Sequence, residues 1–168
     1  MKRILYMATT INGLIADEDD KADWVSEAEW NSYSNMVRTT GCMIIGHRTY
    51  DILTQQSEFA EFKDVKIVVV ARTDATVLSN NHSIARSPQE ALDLFQNENA
   101  VVIAGGGQLN ASFFEQGLFD EVYLDVEPFA LGKGVPIFSG KDFIKELELI
   151  GIDKLSKNEV QLHYRVIV

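Results

Sequence analysis

The chain has 168 residues, 46% of them apolar and 24% charged, a composition that supports one buried core and excludes a disordered chain. Its longest apolar runs, such as residues 67–71, fall far short of the roughly 20 residues that cross a bilayer as a helix, and its one cysteine, Cys42, can build neither an internal disulfide nor a cysteine-rich metal site. A net charge of −10 opposes a nucleic-acid partner, which needs a basic face, so the expectation is a soluble, cytoplasmic, single-domain protein with no membrane segment.

Residues 3–9 are apolar and β-prone, and the start carries no apolar signal segment. The acidic stretch Asp17-Glu18-Asp19-Asp20 reads as a solvated loop. It lacks the glycine and terminal glutamate of a calcium loop, and no metal is expected. Ser26-Glu27-Ala28-Glu29 fits a capping box, in which the Ser26 hydroxyl accepts from the Glu29 amide and the Glu29 carboxylate reaches back to the Ser26 amide. Trp30, Tyr33 and Val37 recur at helical spacing to about residue 39, and Gly41 stops the helix.

Residues 42–45 are continuously apolar, as in a strand buried on both faces. Gly46-His47-Arg48-Thr49 leads into a short helix with Tyr50 and Leu53, and residues 66–71 form the next strand. Ser87-Pro88-Gln89-Glu90 starts another helix, with Pro where a missing N–H costs nothing. The apolar strand 101–104 runs straight into Gly105-Gly106-Gly107, and a helix marked by Leu109 and Phe113 ends at Gly117. Residues 121–126 alternate as a strand. Residues 147–152 and 160–168 flank the polar turn Ser156-Lys157-Asn158-Glu159 and should pair as an antiparallel hairpin.

Strands alternating with helices imply parallel crossovers. The expected fold is therefore α/β, a twisted, mostly parallel sheet with helices on both faces and a C-terminal antiparallel hairpin. The apolar alternation of Val160, Leu162, Tyr164, Val166 and Val168 on an exposed terminal strand suggests a homodimer using that region.

Three strand ends carry phosphate-type chemistry. At Gly105-Gly106-Gly107-Gln108, glycines allow close backbone approach and the following helix start offers free N–H groups to a phosphate. This is not the G-x-G-x-x-G fingerprint, and a plain tight turn is the alternative. At Gly46-His47-Arg48-Thr49 the arginine suits a phosphate bidentately and the threonine through its hydroxyl. Arg72 adds a cation just past the next strand. Trp24 reads either as a hydrophobic staple on the first helix or as a pocket wall, and Glu29 is already explained by capping. His47, His82 and His163 have no metal-ligand spacing, and no Ser/His/Asp arrangement stands out.

These residues resemble the dihydrofolate reductase superfamily, and more closely the reductase domain at the C-terminus of the bifunctional riboflavin-biosynthesis deaminase/reductase and its stand-alone relatives. The resemblance rests on Thr10-Ile11-Asn12-Gly13-Leu14-Ile15-Ala16, Gly46-His47-Arg48-Thr49-Tyr50, Ile103-Ala104-Gly105-Gly106-Gly107 and Leu131-Gly132-Lys133-Gly134-Val135-Pro136-Ile137-Phe138. It implies an NADPH-dependent reductase transferring hydride to a pyrimidine- or pterin-like substrate, most like 5-amino-6-(5-phosphoribosylamino)uracil. A dihydrofolate or other pterin reductase and a non-catalytic NADP(H)-binding domain are the alternatives.

Carried over, Gly105, Gly106, Gly107 and Gln108 would hold the pyrophosphate, often with a cis peptide between the first two glycines. Gly46, His47, Arg48, Thr49 and Arg72 would meet the adenosine 2′-phosphate and its neighbours. Ala8, Ile15 and Ala16 would line the nicotinamide. Trp24, Glu29 and Asn12 would face the substrate, Glu29 and Asn12 as the catalytic pair. Two departures count against folate itself: Val25-Ser26 leads straight into the helix after Trp24, and Val65-Lys66 stands where an arginine would hold the folate tail. A ribose 5-phosphate would need a basic residue, for which Lys133 and Lys141 are the candidates.

Overall fold

The computed structural model describes residues 1–167. An eight-stranded sheet runs in the order β5-β4-β3-β6-β1-β7-β10-β9, with β1 Lys2–Thr9, β3 Cys42–Gly46, β4 Lys66–Val70, β5 His82–Ala85, β6 Ala100–Ile103, β7 Glu121–Val126, β9 Leu147–Lys154 and β10 Val160–Val166. The first six strands of that order are parallel, and β10 pairs antiparallel with both β7 and β9. A small second sheet joins β2 Leu14–Ala16 to β8 Val135–Pro136.

Four helices cover the two faces: α1 Glu27–Thr40 and α2 His47–Leu53 on one, α3 Pro88–Asp93 and α4 Gly107–Glu115 on the other. The period-2 geometry of a strand explains why the central strands are apolar at every position. Cys42 and Ile44 of β3 join the core under α3 and α4, while Met43 and Ile45 join the core under α1 and α2. Among the described residues no helix is long and apolar enough to cross a membrane.

The capping box forms by half. Ser26 Oγ accepts from the Glu29 amide at 3.0 Å, but the Ser26 amide donates to Glu127 Oε1 at 2.8 Å, displacing Glu29 from the reciprocal bond. Gly41 ends α1 at φ +71°, its N–H returning to the Val37 carbonyl, the left-handed cap that glycine adopts without strain.

Three elements differ from the sequence reading. Strand β5 has no counterpart among the expected elements, because exposed Ser83 and polar His82 leave too short an apolar signal. The β2–β8 pair is stabilised by contact across long sequence separation. β10 is an inner strand, and the free edge next to it belongs to β9; Val168, the last residue of the expected strand, lies outside the described residues.

Candidate functional site

The parallel strands all deliver their C-terminal ends to one edge of the sheet, where ligands of open α/β folds bind. β3 and β6 abut there: the Gly46 amide donates to the Gly105 carbonyl at 2.7 Å, and the Gly105–Gly106 peptide is cis. A Cβ on Gly46 would lie 3.3 Å from the Gly105 oxygen, and one on Gly106 would lie 3.1 Å from Thr49 Oγ1. A Cβ on Gly107 would collide with the Pro136 carbonyl oxygen. Side chains are thus kept out where the backbone must be approached. The segment after β8 is pinned against α4 by Asn110 Nδ2 donating to the Ile137 carbonyl at 3.0 Å and the Ser139 amide donating to Gly107 at 3.1 Å.

A cavity of about 620 Å³ opens over these ends. Its walls include Ile15, Ala16, Gly46, His47, Arg48, Thr49, Arg72, Gly106, Gly107 and Gln108, so ten of the twelve residues expected to touch a cofactor converge on one space. Gly105 lies behind that wall as the Gly46 acceptor, and Ala8 faces away from the cavity floor, paired in register with Asp125. The end of β5 adds Arg86 and Ser87, which sequence reading missed because β5 went unread; the arginine directly before the Ser-Pro helix start was the available signal. A smaller recess of about 120 Å³ continues past Arg72, Gln108 and Ser112 to Lys141.

Despite the overall acidity, the wall is cationic. Arg48 is held by Asp20 from the acidic loop, and Arg86 donates to the Ala71 carbonyl at 3.1 Å and to the Thr73 carbonyl. Arg72 makes no ion pair among the described residues. α4 begins without a side-chain cap, and Gly106, Gly107 and Gln108 at its start line this space.

The expected substrate residues lie elsewhere. Asn12 is committed to structure: its side chain accepts from Thr10 Oγ1 at 2.9 Å and donates to the Leu131 carbonyl at 2.7 Å, tying the β1–β2 turn to the loop after β7. Lys133 is exposed and pairs with Glu18 at 3.8 Å, and Lys141 pairs with Glu115 at 2.8 Å. Trp24 packs on Phe129, with ring centroids 6.3 Å apart, and its indole N–H is buried without a partner.

Glu29 opens onto a feature the sequence did not signal. Asp125 and Glu127 at the end of β7, Glu159 at the start of β10 and Glu29 on α1 are all buried. Tyr6 Oη donates to Asp125 Oδ2 at 2.6 Å, and Gln161 Nε2 donates to Asp125 Oδ1 at 2.8 Å. Burial first, then Asp125, Glu127 and Glu159, push Glu29 up to about 8, so its carboxyl carries a proton at neutral pH. Burial also lifts Asp125 to about 6, against the pull of Tyr6 and Gln161. Burial, and then Glu159, raise Glu127 against the Ser26 amide. In the sequence Asp125 sits on the polar side of an alternating strand and reads as solvent-facing; α1 covers that side.

The sequence model of the RibD C-terminal domain matches residues 2–161. Two Bacillus subtilis (strain 168) proteins are similar over nearly their whole lengths: uncharacterized protein YwjB, 29% identical with 97% of each chain covered, and uncharacterized protein YyaP, 24% identical with 96% of this chain and 93% of that one covered. A putative riboflavin biosynthesis protein from Shewanella sp. PV-4 superposes with a TM-score of 0.84 at 20% identity, covering 100% of both chains. A pyrimidine reductase-like protein from Corynebacterium diphtheriae gives 0.76 at 12% identity, with 99% of this chain and 92% of that one covered. The deaminase/5-amino-6-(5-phosphoribosylamino)uracil reductase of Thermotoga maritima gives 0.74 at 16% identity, and the match covers 99% of this chain but 56% of that longer one. The fold is that of these reductase-like structures, and the chain belongs to the RibD C-terminal domain family.

Proposed function

We propose that the chain is an NADPH-dependent reductase acting on a C=O or C=N carbon of a small heterocycle. The observation that carries this reading is the convergence of four strand ends, with Arg48, Arg72 and Arg86, on one cavity of about 620 Å³. That volume falls within the roughly 300–1,000 Å³ of small-molecule and cofactor sites. The residues suit a dinucleotide: the glycine cradle excludes side chains where a diphosphate needs the backbone, and the guanidiniums suit an added phosphate dianion. When bound, NADPH supplies the hydride.

Gly106, Gly107 and Gln108, with the open N-terminus of α4, bind the diphosphate. Arg48, Thr49 and Arg72 bind the 2′-phosphate, which sets NADPH apart from NADH. Met7, Ile15 and Ala16 give one end of the cavity an apolar surface that excludes water from a flat ring. Glu29, protonated at neutral pH, supplies the proton that must accompany hydride addition. The test is a thermal-shift and fluorescence titration with NADPH and NADH, followed by loss of reduced-nicotinamide absorbance over a pyrimidine and pterin panel. A preference for NADPH with turnover supports the reading. Equal indifference to both nucleotides ends it.

A further inference from the structure

The arginines of the cavity wall are held in three different ways. Arg48 meets Asp20. Arg72 has no hydrogen bond or ion pair among the described residues, although it lines both the large cavity and the recess that continues from it. Arg86 is committed to backbone: its Nη1 donates to the Ala71 carbonyl at 3.1 Å and to the Thr73 carbonyl, the two residues that flank Arg72 in the chain. Both hydrogens of that nitrogen are thereby used. Nη2 stands 3.8 Å from the exposed Asp74 carboxylate, a pair worth little in water.

The turn that carries Arg72 has little to hold it. The β4–β5 ladder ends where the Ala71 amide donates to the Ala85 carbonyl at 3.0 Å. From Arg72 to Val77 no amide donates a hydrogen bond among the described residues; the next to do so is Leu78, to Tyr50 Oη at 3.0 Å. Exposed backbone with so few bonds opens at low cost. The base from which Arg86 reaches is fixed, by contrast. Ala85 is buried, the Arg86 amide donates to Glu90 Oε2 at 2.8 Å, and Ser87 Oγ caps α3 by accepting from the Glu90 amide at 3.1 Å. Resting on the reductase reading above, we infer that Arg86 is a positioning residue and not a phosphate ligand. It clips the carbonyls on either side of Arg72, so that the unpaired Arg72 guanidinium is held at the cavity to receive the added phosphate of the nucleotide. Ordering that turn in advance lowers the entropy lost on binding.

The test titrates NADPH and NADH by fluorescence into the full chain and into Arg72→Ala, Arg86→Ala, Arg86→Lys and the double variant Arg72→Ala/Arg86→Ala. Arg72→Ala should weaken NADPH about tenfold or more, and Arg86→Ala should match it within about threefold, each leaving NADH within about twofold. Where Arg72 is already gone, removing Arg86 should change NADPH by no more than about twofold, because the two act as one unit. Arg86→Lys keeps the charge but replaces the planar fork by a point donor, and should still lose at least about threefold. Additive losses in the double variant, or Arg86→Lys equal to the parent, would make Arg86 itself a partner of the phosphate and overturn the inference. Equal losses of NADH and NADPH in Arg86→Ala would overturn it too. A nucleotide-free measurement separates this from the reductase reading: trypsin should cut after Arg72 at least about tenfold faster in Arg86→Ala than in the parent, followed by mass spectrometry. An unchanged cleavage rate overturns the clip. A parent with no preference for NADPH overturns the reductase reading and leaves the cleavage rate to judge the clip.

Discussion

The carboxylate of Asp20, at the tip of the acidic loop, is bonded to the guanidinium of Arg48 at the start of α2. Asp20 adopts a left-handed φ of +63° to make this pair, and the loop is tightened by Asp17 Oδ1 accepting from the Asp19 and Lys21 amides at 2.8 and 2.9 Å. Both Asp20 and Arg48 line the large cavity. An incoming phosphate must therefore compete with Asp20 for the same guanidinium. Arg48→Ala is expected to weaken NADPH by about 10- to 100-fold, the value of a charge-assisted hydrogen bond, and NADH by no more than about threefold. Asp20→Asn should tighten NADPH several-fold by freeing Arg48. Fluorescence titration with both nucleotides checks this, and equal losses of both in Arg48→Ala would contradict the assignment.

Gly107 offers a steric test. Its Cβ would meet the Pro136 carbonyl and, at 3.1 Å, Ser139 Oγ, so Gly107→Ala must push the segment after β8 away from α4. Overpacking of this kind costs about 1–3 kcal/mol. Nucleotide affinity should fall at least about tenfold, because Gly107 belongs to the proposed diphosphate cradle and the segment packed against it must shift. Gly132→Ala, where a Cβ meets nothing within 4 Å, is the control and should change neither the melting temperature nor affinity.

The raised pKa of Glu29 has a definite sign for stability. Its folded value of about 8 stands above the ordinary value of 4.5, so its contribution is fully present below about pH 4.5. Between there and pH 8 the unfolded chain releases the proton and the folded chain keeps it, so stability falls as pH rises and levels off above. Glu29→Gln should remove this slope and be more stable than the parent at pH 8, by on the order of a few kcal/mol. Urea unfolding at pH 5 and pH 8 measures it. In turnover the same variant should lose about 10²- to 10⁴-fold, the usual value of a general acid.

The exposed side of β9 tests the expectation of a homodimer. Leu149, Ile150 and Ile152 are 47%, 37% and 62% exposed on an edge strand with free backbone groups, an arrangement that invites pairing with a second copy. Ile152→Lys should then shift the parent's elution in size-exclusion chromatography toward the monomer. A parent that already elutes as a monomer would refute the dimer.

The sequence determined the parts whose cause is local. Period and glycine placement marked the buried strands, Ser26 and Ser87 marked helix starts, and the glycines after β3 and β6 marked a cradle, because each depends on backbone conformation within a few residues. The shared location of ten of the twelve residues expected to touch a cofactor was legible for the same reason: parallel strands deliver their ends to one edge once the alternation of strand and helix is known. Only the tertiary structure decided who pairs with whom across long separations. It gave the Ser26 amide to Glu127 rather than Glu29, tied Asn12 to Leu131, set Asp20 on Arg48, and buried Asp125 and Glu159 beneath α1. A carboxylate in an alternating strand looks solvated in sequence. Whether it meets water or another carboxylate is settled by what packs on that face, and burial, not residue type, fixes its charge.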